Sequence, residues 1–508
     1  MTAPFQENPR EIIPRWRDFQ TTVQLGELNS PKTKSFQINN SEILADRVRD
    51  WTLTPNIWVA ADLVSSAMVL NCPEPAVIAA KYLLEQNTEL PNTIQRICEI
   101  ILNASYKGND IRSDERLEIS QVINPGDRIR ASRLSLNLEP RNAVQWMDIA
   151  WAYTVLGQEK KARNSIITAL ALAPENRFIL RSAARFFVHI KEYTFAHNLL
   201  RKATVTRYDP WLIAAEVGLA ELAEHSPRFA KQGLEFLQDA NIFPNHLAEL
   251  ASALATFEIK HGKSSNAKKL FRQALISPTE NALAQITWAS NRHLDNFNFD
   301  PNDFKQTPLN FEAYAREFYY SADWQHSYQL CNKWLDDQPF ASTPVFLGVQ
   351  VANLMENFNA GSDIIKRGLA ANPSEPMLWN NLAFTYASMN KVIEANNALA
   401  KIETRVVEFK LGRKEEAILW ATRGLIQFRE GKIEAGRNSY MRAIEELFAL
   451  GNKRDSALAS IYLAREEIVN NTEQAVKALI RAEESVTVLD RKRDLIIQLE
   501  NVKIKLRL

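Results

Sequence analysis

Between Ala143 and Asn176 the chain reads AVQWMDIAWAYTVLGQEKKARNSIITALALAPEN, and the order of small, bulky and turn residues in that stretch permits few folds. Ala150 and Ala162 are small, so two antiparallel helices carrying them can approach closely, while Tyr153 and Ile166 fill the space beside them. Gly157 suits a left-handed residue at the end of the first helix, and Pro174 stands where the second helix must stop. One such hairpin cannot bury both of its apolar faces, so copies of it have to stack.

Copies do recur. One starts at Arg177, with Leu180, Ala184, Phe187, Ala196 and Leu200 in register, and more worn ones start near Trp211 (Gly218, Ala230, Leu234) and Ala248 (Ala255, Gly262, Ala267, Phe271). The period breaks in HLDNFNFDPNDFKQTP and resumes with Ala315, Phe318, Trp324, Ser327, Cys331 and Trp334. Further units follow around Val345 to Pro373, Trp379 to Leu399, Trp420 to Ala443 and Ala459 to Ala482. Trp146, Ile149, Ala150, Tyr153, Gly157, Ala162, Ile166, Ala169 and Pro174 resemble the signature of the tetratricopeptide repeat, with its period of roughly 34 residues. The resemblance covers about Asp127 to Ser485. It implies an all-α chain: a right-handed superhelical solenoid of tetratricopeptide-like hairpins with a helical amino-terminal domain, and a concave groove that in this family usually binds a peptide or a partner's helix.

This reading divides the chain into an amino-terminal arm (1–40), a helical amino-terminal domain (41–126), a first array (127–291), a hinge or insertion (292–307), a second array (308–488) and a capping helix (489–508). The arm mixes prolines, charges and isolated aromatics without a period, yet Trp16 and Phe19 argue that it docks. The last segment, LDRKRDLIIQLENVKIKLRL, reads as an amphipathic helix whose polar outer face would cap the array.

Charge and motif content narrow the function. Lys plus Arg number 61 against 60 Asp plus Glu, so no global field attracts nucleic acid or an anionic membrane. Arg491, Lys492, Arg493, Lys503, Lys505 and Arg507 form a basic terminus that Asp490, Asp494 and Glu500 dilute. The three cysteines, Cys72, Cys98 and Cys331, are far apart and suggest neither disulfides nor a zinc module. With no signal-peptide core and no apolar stretch long enough to span a bilayer, the expected location is cytoplasmic.

No phosphate-binding loop, nucleophile elbow or HExxH is present. DNFNFDPND lacks the glycine and the closing glutamate of a calcium loop. Pairs such as Glu415 with Glu416 diverge around their helix, and His189 and His197 fall on different helices. Asp46, Asp50, Asp62 and Glu74 show no partnered base, nucleophile or metal set. The expectation is no enzyme, no cofactor and no metal.

The resemblance also implies that the first helix of each hairpin lines the groove. That register assigns peptide contacts to Trp151, to Arg181 and Arg185 one turn apart, and in the second array to Arg316, Tyr320, Gln350, Asn353, Asn380 and Phe384. Two guanidinium groups suit an acidic peptide or a carboxylate, and asparagines of this kind can hold a ligand backbone extended. Trp146, Trp324, Trp334, Trp379 and Trp420 fall at packing positions instead. The expected function is a non-enzymatic scaffold or adaptor for a protein or peptide partner in a multi-protein complex. The alternative is a regulatory sensor of a peptide or a nucleic-acid-associated signal, with the break near Asp295 to Pro308 as its hinge.

Overall fold

A computed structural model describes residues 10–25, 41–69, 72–86, 90, 92–105, 124–294, 296–404, 411–489 and 493–507. The rest of the arm, the connection 106–123, Asp295, Asp490, Arg491 and Lys492 lie outside the described residues. Among those described there are 26 α-helices and no strand. The described residues are all-α and form an array of antiparallel helical hairpins. Contact density divides it into two compact units that meet in sequence at Ala313 and Tyr314.

In the unit Arg10–Ala313 the hairpin read from the sequence is formed by helices Ala143–Val155 and Glu159–Leu172. Asn142 caps the first by accepting from the Gln145 N–H at 3.1 Å, and Gly157 turns the chain with φ of 66°. Ala150 and Ala162 are fully buried, as close helix approach requires. Replacing Ala150 by Trp is expected to destabilise this unit by about 1–3 kcal/mol or more through overpacking. Unchanged thermal unfolding would show that the two helices do not meet at this residue.

The hairpins Arg177–His189 with Tyr193–Lys202, Pro210–Leu222 with Ala230–Phe236, and Pro244–Lys260 with Ser264–Ala274 follow. Glu280–Arg292 is the next first-type helix. First helices of successive hairpins adjoin one another and make a continuous inner face.

The unit from Tyr314 onward repeats the scheme, from Trp324–Asp337 through Thr343–Leu354 and on to Ala475–Thr487. Gly424 and Gly436 let two helices approach closely there, because a Cβ on Gly424 would lie 2.9 Å from the Gly436 carbonyl oxygen. Several hairpins turn through a left-handed residue that is not glycine: Lys191, Ala322, Glu356 and Asn390 all have φ between 52° and 66°. Each of these conformations costs roughly 1–2 kcal/mol, and their variety is why the copies look worn in sequence.

Candidate peptide-binding groove

The inner face of the unit Arg10–Ala313 is occupied by the chain's own residues 10–19. Residues 10–18 form no helix or strand, and they cross the first helices in the order opposite to the chain. Arg10 meets Glu280–Arg292, Ile12 meets Pro210–Leu222, Trp16 meets Arg177–His189, and Phe19 meets Ala143–Val155.

Side chains of the repeats grip the main chain of this strap. Asn281 Nδ2 donates to the Ile13 carbonyl at 3.0 Å and Gln285 Nε2 to the Arg10 carbonyl, while Asp148 Oδ1 accepts from the Phe19 N–H at 2.9 Å. A Cβ on Gly218 would stand 2.4 Å from the Ile12 carbonyl oxygen, so only glycine lets the strap backbone pass this helix. Gly218 therefore answers to the strap, although its place in the repeat period looks like hairpin packing.

Ile12 and Trp16 are fully buried and Phe19 is 3% exposed. Trp16 meets Phe186 edge-on with ring centroids 6.3 Å apart, and Phe19 meets Phe178 at 5.5 Å. The strap's cations face carboxylates. Arg10 forms two 2.9 Å bonds to the two oxygens of Glu312 and also donates to Asn281 and Gln285. Arg15 pairs with Glu312, and Arg17 with Glu280 at 2.9 Å. Burial alone would push the Glu280 carboxyl up, but Arg17 and Arg15 hold it below its usual range.

Two carboxyl groups at the strap go the other way. Burial, with Asp18 nearby, pushes Asp148 up to about 7, and burial pushes Glu11 up to about 7 despite its bond to Lys260. Each keeps a proton in the folded protein across a range where the unfolded chain has lost it. The resulting stability is complete below the ordinary carboxyl range and is lost as pH rises through about 7. Burial depresses His189 to about 3 and His246 to about 4, and these two remove stability only as pH falls below about 6.5. The unfolding midpoint of this unit is therefore expected to fall between about pH 6.5 and pH 8. Asp148→Asn, which keeps an acceptor for the Phe19 N–H, should flatten that fall in a denaturation series. An identical pH profile in the variant would remove Asp148 from this account.

The register-assigned contacts occupy varied settings. Arg181 is 4% exposed and binds the Glu249 carboxylate at 3.0 Å and the Trp211 carbonyl at 3.1 Å, its guanidinium 4.7 Å from the Trp211 ring. Arg185 is partly buried, and burial, with Arg15 nearby, lowers it to about 10. The structure thus does not bring the two together as a pair of guanidinium groups presented outward. Trp151 lies beneath the Arg128 guanidinium at 5.0 Å, and its indole N–H has no hydrogen-bond partner.

In the unit from Tyr314 onward, Arg316 is buried near Trp334 and Tyr320 packs on Tyr319. The helix Arg493–Arg507 lies against Lys453–Val469 and Thr343–Leu354, and Asp494 accepts from the Tyr319 hydroxyl, Gln350 and Arg454. Asn380 is fully buried between Asn381 and Thr422, and Phe384 is fully buried against Tyr462. Asn353, whose amide nitrogen and oxygen have no partner, lines a narrow cleft with Phe384, Tyr462, Arg465 and Gln498.

Asn281, Gln285, Glu280 and Glu312 escaped the sequence reading. The available signal was the helix Glu280–Arg292, where Asn281, Gln285 and Thr287 are as buried as the apolar residues around them. Polar residues on an all-round buried helix need partners: the strap backbone supplies them for Asn281 and Gln285, and the Leu283 carbonyl for Thr287. Among the described residues no group of three His, Cys, Asp or Glu side chains is placed to hold a metal ion, and no helix is long and apolar enough to cross a membrane.

No protein-family model matches the chain, and no curated protein sequence does. Among solved structures, yeast Tom70 is 14% identical, with 92% of this chain and 96% of that one covered and a TM-score of 0.33. The Cut9–Hcn1 hetero-tetramer of the APC/C is 10% identical over 96% of this chain and 99% of that one, with a TM-score of 0.34. A human IFIT1 dimer with PPP-AAAA is 14% identical over the same shares, with a TM-score of 0.31. At such scores the chains do not superpose as wholes, and the hairpin geometry above is what carries the fold.

Proposed function

We propose that the chain is a non-enzymatic adaptor that holds partner polypeptides in extended form on the inner face of its helical hairpins. The observation that carries this reading is the strap: repeat side chains bond to the main chain of an extended segment through Asn281, Gln285 and Asp148. Groups that read backbone atoms can hold any extended polypeptide, and neighbouring pockets then select its side chains.

A nucleic-acid role draws less support from the basic terminus than its composition suggests. Lys503 pairs with Glu483 and Glu500, and Lys505 with Glu356, so these cations already have anionic partners.

Affinity purification of the tagged protein from its native cell, with mass spectrometry and nucleic-acid detection on the eluate, tests the reading. The expected result is a stoichiometric protein partner that cross-links to the first-helix face. Nucleic acid recovered without such a protein would overturn the adaptor in favour of a sensor of a nucleic-acid-associated signal.

A further inference from the structure

We propose that the inner face of the unit Arg10–Ala313 is a receptor for an extended basic and aromatic peptide, and that residues 10–19 occupy it in cis as the resident competitor of a partner segment with the same chemistry. This deepens the adaptor reading and rests on it.

Part of the receptor's packing is independent of its occupant, although Ile12 joins the cluster of Ile213, Val217, Leu250 and Leu254. Ala251, Ala255, Ala267, Phe271 and Ala274 form a hydrophobic cluster that includes no strap residue, and Ala150 packs within its own hairpin. The strap is added to this frame in a form any extended chain can copy: no secondary structure of its own, main-chain groups bound by Asn281 and Gln285, and passage over Gly218.

Charge decides the class of ligand. Glu280 and Glu312 receive the strap's three arginines, Arg10, Arg15 and Arg17. On the receptor side, the Arg181 charge is taken up by Glu249, and burial disfavours the charged form of Arg185. An acidic segment laid along this path would set its carboxylates against Glu280 and Glu312 in a site largely closed to water, where like charges repel strongly. Basic residues at the places of Arg10, Arg15 and Arg17 remake the pairs with Glu280 and Glu312, while the strap's acidic Glu11 and Asp18 meet Lys260 and Arg128. The apolar positions are as definite: one aliphatic side chain at the place of Ile12 and aromatic ones at the places of Trp16 and Phe19. Cations spaced around Ile and Trp are therefore the recognition pattern.

The test uses the full-length chain and a fluorescent peptide of residues 10–20, REIIPRWRDFQ, beside a peptide in which its three arginines are glutamates. Trp16→Ala weakens the resident strap, and Arg10→Gln is a milder second variant. By fluorescence anisotropy each folded variant should bind the basic peptide at least tenfold more tightly than the wild type does, and the acidic peptide not at all. Adding Gly218→Val to either variant should abolish binding, since its side chain blocks the path of any backbone.

Equal binding by wild type and variants, or binding that survives Gly218→Val, would overturn the proposal by placing the peptide elsewhere. Binding of the acidic peptide instead would overturn the ligand class and leave the adaptor reading standing. No binding by a folded variant would make the strap a fixed part of the core, and the affinity purification would still judge the adaptor. If both variants unfold, trypsin decides on the wild type: faster cleavage after Arg15 and Arg17 with excess basic peptide supports displacement, and an unchanged rate overturns it.

Discussion

Trp16→Ala lowers the unfolding free energy of the unit Arg10–Ala313 by about 3–5 kcal/mol, the range for removing a fully buried large aromatic side chain. The size of the loss also carries information. If the strap stays docked, the variant has a cavity beside Phe186 and the full penalty applies. If the strap detaches, the loss stops at the free energy with which it was docked. Urea denaturation followed by circular dichroism gives the magnitude, and hydrogen exchange at the N–H groups of residues 10–19 separates the two cases. A loss below about 0.5 kcal/mol, the size expected of a surface substitution, would show that Trp16 is not packed in solution as described.

Arg181→Glu is expected to be as severe. The side chains of Arg181 and Glu249 are 5% and 2% exposed, and Glu249 also accepts from Asn281. Removing one partner of such a buried pair costs about 3–5 kcal/mol, because the other charge is left uncompensated, and reversal adds repulsion between two carboxylates. Arg185→Met should cost less than half as much, since burial already works against the charge at Arg185. Denaturation midpoints of the two single variants settle the comparison. If Arg181→Glu kept wild-type stability, Arg181 would be a solvated surface residue and not one of a buried pair.

That contrast shows what local pattern carries. The hairpin around Ala150 and Ala162 is legible because the small and bulky residues that define it lie within one repeat, and the caps Asn142 and Asn176 mark the start of its first helix and of the next repeat. Turns through Lys191, Ala322 and Glu356 are hidden, because a left-handed conformation at those residues is imposed by the packing on both sides. The same holds for the groove. Trp16 and Phe19 announce docking as large apolar side chains in a polar arm, but nothing near them says where they dock. Glu280 reads as one of many solvated charges, and Asn281 as an ordinary helix residue, until the strap lies beside them. Register assigns peptide contacts to the first-helix face but cannot show that residues 10–19 lie along it in the unit Arg10–Ala313.

The strap has a further consequence, for the order of events in biosynthesis. Arg10 and its partner Glu312 are separated by 302 positions in sequence. At about 5–20 residues per second of synthesis, the strap leaves the ribosome on the order of 15–60 s before the carboxylate that will hold it exists. Trp16 finds Phe186 and Ile12 finds Ile213 well before that, so Arg10 and Arg15 are the strap residues that wait for Glu312. The strap's partners are therefore made in the order of Phe19, Trp16, Ile12 and Arg10, and its carboxylate clamp is complete only once Glu312 has been added.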